Sequence, residues 1–144
     1  QIPSSLKLTA VTTSPKISIL LNKSPNIEAV QLGGTLRKNS FSVLGEYTNY
    51  FFNDITCSKL FLGVDGIDLE YGITNSNMEE AMLNKRMIDS SLRTIILADS
   101  SKFGRRGFGR VCSLDKIDVI ITDSGIPEVM AKSIEEIGIE LIIV

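Results

Sequence analysis

Histidine and tryptophan are absent from the 144 residues of this chain. Without an imidazole, Ser-His and Cys-His catalysis, zincin-type sites and histidine-based pH switching are excluded. Cysteine is scarce: Cys57 and Cys112 are the only two. Two thiols without a histidine cannot complete the usual tetrahedral zinc site, and neither a metal nor a cofactor is expected. The two show no pairing signal and read as reduced, buried, small apolar residues of a cytoplasmic protein. Positive charge is not in excess either, since 15 Lys and Arg against 17 Asp and Glu leave −2. A duplex-DNA surface needs clustered cations, so none is expected in this chain. No apolar run approaches the roughly 18 residues of a membrane span, and no signal peptide opens the chain. The opening Gln1-Ile2-Pro3-Ser4-Ser5 has no methionine and reads as a fragment whose upstream part is missing.

What is present is an ordinary globular composition, 43% hydrophobic and 22% charged. A single domain of this size buries roughly 70% of its unfolded surface and needs no disulfide. Short apolar runs alternate with helical patterns. Strands are expected at Lys7–Val11, Ile27–Leu32, Lys59–Leu62, Arg93–Ala98, Asp118–Thr122 and Glu140–Val144. Helices are expected at Ser14–Lys23, Glu46–Ile55, Asn77–Ser90 and Pro127–Ile137, the last with Pro at its start and Gly138 past its end. Ser76 and Glu79 have capping-box spacing. Tyr47, Tyr50 and Phe51 share a helical stripe and read as core or subunit interface rather than a ligand stack. The strands are continuous β-branched runs, the mark of strands buried on both faces. The fold class is therefore α/β, a mainly parallel sheet flanked by helices.

Chemistry concentrates where the strands end. Thr12-Thr13-Ser14, Gly33-Gly34-Thr35, Gly63-Val64-Asp65-Gly66, Asp99-Ser100-Ser101-Lys102 and Asp123-Ser124-Gly125 each follow an expected strand. In an open parallel sheet these carboxyl ends share the edge where ligands bind; strand ends also need turn residues for their own sake. Gly33-Gly34 fits a tight turn with amides free for an anion, or a turn that requires positive φ. Lys102 opens a segment carrying Arg105, Arg106 and Arg110 and no acid. Such a segment suits a phosphate or sugar acid, or is a solvated basic loop. Asp65 and Asp68 could accept sugar hydroxyls or move protons. Of Glu79 and Glu80, one caps the helix, which leaves Glu80 as the site residue.

In this order and spacing, several segments resemble the effector-sensing domain of DeoR-family bacterial transcription regulators over nearly the whole chain. They are Leu32-Gly33-Gly34-Thr35-Leu36-Arg37, Gly63-Val64-Asp65-Gly66-Ile67, Tyr71-Gly72-Ile73-Thr74, Glu79-Glu80-Ala81 with Asn84, Met87 and Ile88, Ala98-Asp99-Ser100-Ser101-Lys102-Phe103-Gly104, and Ile121-Thr122-Asp123. Thr13 departs from the family's usual asparagine. The resemblance implies a fold similar to ribose-5-phosphate isomerase, glucosamine-6-phosphate deaminase and the CoA transferases. It implies one effector-sensing domain over residues 1–144, with a helix-turn-helix and the sensor's first strand and phosphate loop upstream.

The function so implied is sensing of a phosphorylated sugar or polyol by a cytoplasmic, homo-oligomeric repressor, which meets DNA through the upstream domain alone. Lys102, with the amides near Gly33 and Gly34, would hold the phosphate. Asp65, Thr74 and Glu80 would face hydroxyls, with Thr13, Ser14, Gly66 and Asp99 along the same edge. The alternative is a sugar-phosphate isomerase-like or CoA-transferase-like enzyme. The isomerases' lysine-glycine run is replaced here by Glu70-Tyr71-Gly72-Ile73, which favours a binder without catalytic residues.

Overall fold

The structure is a computed structural model that describes residues 2, 3 and 5–144; Gln1 and Ser4 lie outside the described residues. The chain divides into two compact units, Gln1–Phe51 and Phe52–Val144.

In the first unit, β1 (Leu8–Thr12) and β2 (Ile27–Gln31) pair in parallel, with Leu8 opposite Ile27 and Thr12 opposite Gln31. The crossover between them is α1 (Pro15–Leu21), which has Pro15 in its first turn, where the missing N–H costs nothing. A short antiparallel pair follows, β3 (Thr35–Leu36) with β4 (Val43–Leu44), and then α2 (Glu46–Phe51). The sequence gives no sign of this hairpin, because two-residue strands carry no periodicity. Helix α2 turns Thr48 inward and leaves Tyr47 and Tyr50 88% and 57% exposed. The two tyrosines of the aromatic stripe are therefore not core, while Phe51 is half-buried.

The second unit holds a four-stranded parallel sheet in the order β11-β10-β8-β5. Its strands are β5 (Leu60–Gly63), β8 (Thr94–Leu97), β10 (Val119–Thr122) and β11 (Glu140–Ile143). The central pair carries the deepest apolar residues, Ile96 and Ile120, both fully buried, as the continuous β-branched runs require. Helix α4 (Glu128–Glu136) crosses from β10 to β11 and ends at Gly138, whose φ of +89° stops it. Pro127 stands before this helix rather than inside it.

Between β5 and β8 the chain forms β6 (Gly66–Asp68), β7 (Gly72–Asn75) and α3 (Met78–Asp89). Strand β9 (Gly109–Cys112) completes an antiparallel sheet in the order β6-β7-β9. These three strands are short and bounded by glycines, and in the sequence they read as turns. Helix α3 is capped by Asn77, whose side chain accepts the Glu80 N–H, and not by Ser76. The Ser76 N–H is already given to Asp65, which keeps Ser76 outside the helix. Cys57 and Cys112 are free and half-buried, and burial pushes the Cys112 thiol up to about 11. No helix among the described residues is long and apolar enough to cross a membrane.

Gly72 has φ +91°, and a Cβ there would lie 2.1 Å from the Cys112 carbonyl oxygen; at Gly104, with φ +72°, a Cβ would meet nothing within 4 Å. Gly104→Ala should cost only the left-handed backbone penalty, about 1–2 kcal/mol. Gly72→Ala should cost clearly more, since β7 must also move off β9. Urea denaturation of both variants checks the order.

Candidate functional site

Within the second unit the carboxyl ends of β5, β8 and β10 fall side by side, with Gly63 opposite Leu97 and Ile121 opposite the same Leu97. The loops beyond them are tied together by carboxylates. After β8, Asp99 begins a single 3-10 turn, Ser100–Lys102, and its Oδ1 accepts the Ser101 N–H at 2.9 Å. After β10, the two Asp123 oxygens accept the Ser100 N–H at 2.7 Å and the Gly125 N–H at 2.8 Å, which clamps the β10 loop to the β8 loop. A Cβ at Gly125 would stand 2.5 Å from Ser100 Oγ and 2.8 Å from Asp123 Oδ1, so a side chain there would have to displace the clamp.

The β8 loop is also pinned to the antiparallel sheet. The Gly104 N–H donates to the Ile67 carbonyl at 2.8 Å, and Phe103 and Ile67 are both buried. This brings Lys102, just before Phe103, towards Asp65, just before β6. Burial by itself would raise the Asp65 carboxyl. The Ser76 N–H, the Ser76 hydroxyl, the Asn75 side chain and the Lys102 charge outweigh it and hold the group below its ordinary 3.8. Hydrogen bonds from Ser101 lower the Asp99 carboxyl first, and Lys102 lowers it further. The Ser100 and Gly125 N–H groups lower Asp123. One ammonium thus stands within electrostatic reach of two ionised carboxylates at the end of a parallel sheet. Such a set can hold an anion on the cation and accept hydroxyls on the carboxylates.

Other residues singled out in the sequence have different duties. Thr74 does not open to a ligand: it is fully buried, its hydroxyl donates to the Gly66 carbonyl and it accepts the Gly107 N–H at 2.7 Å. Gly66 is buried, and a Cβ there would lie 2.5 Å from the Arg105 carbonyl oxygen, so its glycine serves packing. Glu80 is half-buried in the first turn of α3.

One cation of the basic segment, Arg106, is neutralised by acids. Arg106 forks onto both oxygens of Asp68 at 2.8 and 3.0 Å, while Arg110 donates to the Tyr71 carbonyl, and both cations flank the Tyr71 ring. Asp68 also accepts the Glu70 and Tyr71 N–H groups, so it builds a turn rather than a site.

In the first unit, Thr13 accepts the Val43 N–H through its carbonyl at 2.9 Å, and Ser14 precedes α1 without capping it. The Gly33 carbonyl accepts the Thr48 hydroxyl. Gly34 has φ +148°, and a Cβ there would lie 2.4 Å from the Leu44 carbonyl oxygen, so the turn itself demands glycine.

Two buried amides that sequence reasoning gave no role at the site bond to each other. Asn75 and Asn84 are 2% and 5% exposed, and Asn84 Nδ2 donates to Asn75 Oδ1 at 2.9 Å. A signal existed: Asn84 interrupts the apolar stripe of α3 between Ala81 and Ile88, where an amide is retained only if it is bonded.

The family model of the DeoR C-terminal sensor domain matches residues 1–124. The chain belongs to this family. It is 37% identical over 131 residues to the uncharacterized HTH-type transcriptional regulator YulB of Bacillus subtilis (strain 168), covering 91% of this chain and 51% of YulB. It is 33% identical over 142 residues to the HTH-type transcriptional regulator GlpR of Haloferax volcanii, covering 99% of this chain and 55% of GlpR. It is 31% identical over 135 residues to the HTH-type transcriptional repressor GlcR of Bacillus subtilis, covering 94% and 52%. The chain thus spans about half the length of the curated relatives it matches. As a DeoR C-terminal sensor domain in a group of relatives named as transcriptional regulators, it fits a ligand-sensing role, and the enzyme alternative is not favoured.

The Arg106 fork holds the Asp68 carboxyl down to about 2, against 3.8 ordinarily. A depressed folded-state value means the stabilisation is complete above pH 3.8 and is lost as pH falls through 2. Because Arg106 is half exposed, solvent screening keeps the contribution small. Asp68→Asn should remove this part of the acid dependence. Urea denaturation at pH 5 and pH 2.5 should show a smaller stability loss in the variant than in the wild type.

Proposed function

We propose that this sensor domain binds a phosphorylated sugar or polyol, in a longer cytoplasmic repressor that meets DNA through a separate upstream domain. The observation that carries the proposal is Lys102, whose charge lies near enough to Asp65 and Asp99, at the carboxyl edge of the parallel sheet, to help lower both carboxyls. The cation takes the phosphate; the two carboxylates and Glu80 accept hydroxyls. Ligand contact by Thr13, Ser14, Gly33 and Gly34 rests on their positions after β1 and β2 alone. The ligand is bound and not converted. No histidine is present, Asp68 is spent on Arg106, and Glu70-Tyr71-Gly72-Ile73 offers no lysine to polarise a carbonyl. Residues 1–144 act as a single effector domain in a homo-oligomer, for which the exposed Tyr47 and Tyr50 offer contact surface. A ligand that favours one arrangement of that oligomer by about 1–3 kcal/mol changes DNA affinity 5- to 150-fold.

A phosphate on Lys102 gains a charge-assisted hydrogen bond of about 1.5–3 kcal/mol. Calorimetric titration of the full-length protein with glycerol 3-phosphate, glucose 6-phosphate and fructose 6-phosphate should find binding that their unphosphorylated counterparts lack. Lys102→Ala should weaken it by about 10- to 100-fold with little change in folding stability. Equal affinity in wild type and variant would remove Lys102 from the site, and turnover of a bound sugar phosphate would overturn the binder reading.

A further inference from the structure

Phe108 leaves its side chain 79% exposed, the most of any aromatic residue in the second unit. A lone exposed ring on a loose loop would be ordinary, but the backbone on either side of this one is locked. Gly107 donates its N–H to Thr74 Oγ1 at 2.7 Å, and a Cβ on Gly107 would lie 2.6 Å from the Asn75 carbonyl oxygen and 3.2 Å from the Ser76 nitrogen. Gly109 pairs with Asn75 across β7 and β9, and a Cβ there would lie 2.7 Å from Ala81 Cβ. Both neighbours sit where a side chain does not fit. The backbone that carries Phe108 is therefore fixed in advance, and a ligand that meets the ring need not order it.

Gly107 also fixes where Phe108 stands. The Ser76 N–H, against which Gly107 lies, donates to Asp65 Oδ2 at 2.7 Å. Earlier in the same loop, Phe103 bridges to Ile67, the Gly104 N–H bonds the Ile67 carbonyl at 2.8 Å, and the Arg105 carbonyl closes over Gly66. Residues 102–108 thus wrap the start of β6, with Lys102 at one end of the wrap, Phe108 at the other and Asp65 just before the strand. Met78, 44% exposed, opens α3 two residues after Ser76, and a Cβ on Gly109 would come 3.2 Å from its Cα. Two exposed apolar residues therefore stand beside the hydrogen bond that holds Asp65.

We propose that Phe108, with Met78, is the apolar wall of the sensing site and takes the carbon face of the ligand, the C–H side of a sugar ring or polyol chain. This rests on the sensing role proposed above and adds that the ligand is recognised by its carbon skeleton as well as by its phosphate. Ligand sites combine apolar and aromatic lining with a few placed polar groups, and a phenyl ring offers a large, rigid apolar surface.

Calorimetric titration of the full-length protein with glucose 6-phosphate, fructose 6-phosphate, glycerol 3-phosphate and inorganic phosphate tests the wall. Phe108→Ala should weaken the sugar phosphate that binds best by about 10-fold and leave inorganic phosphate, which has no carbon face, unchanged. Phe108→Tyr should keep the wild-type affinity. Because the side chain is exposed, urea denaturation of Phe108→Ala should match the wild type. Lys102→Ala should instead weaken inorganic phosphate and sugar phosphate alike. Equal sugar-phosphate affinity in wild type and Phe108→Ala, with Lys102→Ala still weakened, overturns the wall and leaves the sensing role standing. An equal loss for inorganic phosphate in Phe108→Ala also overturns it. So does a smaller oligomer on sedimentation with affinity intact, which places the ring in a contact between copies. If the wild type binds none of the three sugar phosphates, the sensing role falls and the wall with it.

Discussion

One backbone hydrogen bond, from the Gly104 N–H to the Ile67 carbonyl, joins the turn after β8 to the antiparallel sheet. The meeting of Lys102 and Asp65 depends on this join, which the Gly107 N–H to Thr74 bond and the Arg106 fork on Asp68 reinforce. The parallel sheet delivers Lys102 at the end of one strand; the antiparallel sheet delivers Asp65 at the start of another. Neither sheet alone brings Lys102 to Asp65. Phe103 and Ile67, both buried beside the bond, exclude water from it, and a backbone hydrogen bond shielded in this way is costly to break.

Four carboxylates of this unit divide into two groups by their partners. Asp68 and Asp123 spend their oxygens on backbone N–H groups and, for Asp68, on an arginine fork. They fix loops. Asp65 and Asp99 each anchor a neighbouring amide and also feel the Lys102 charge. The loops are thereby set before any ligand arrives, so binding need not order them, and less of the interaction energy is lost to conformational entropy.

The parallel sheet was legible because its strands are short uninterrupted apolar runs, β-branched at the centre, and all its strands lie within a residue or two of where those runs fall. The three-stranded antiparallel sheet was not. Gly66–Asp68, Gly72–Asn75 and Gly109–Cys112 are too short for alternation to show, and their glycines resemble turn punctuation although they answer to close backbone approach. The cap of α3 was misplaced by one residue, because Ser76 and Asn77 are equally suited by type and only the tertiary bond to Asp65 removes Ser76 from contention. Lys102, Asp65 and Asp99 are candidates by their positions after strands, which the sequence alone displays. The neutralisation of Arg106 by Asp68 is not displayed there, since those residues are far apart in sequence and meet only through the pairing of β6, β7 and β9. Thr74 was read as a ligand contact from the resemblance, and its burial follows from the same unforeseen sheet.

The central claim is that Asp65, Asp99 and Lys102 form one ligand-binding edge. The most direct measurement is amide chemical-shift mapping of the isotopically labelled protein titrated with glycerol 3-phosphate, glucose 6-phosphate and fructose 6-phosphate. For a ligand that binds, the largest changes should fall on Asp65–Gly66 and Asp99–Phe103. Changes confined to the Tyr71, Arg106 and Arg110 cluster, with those two segments unmoved, would contradict it.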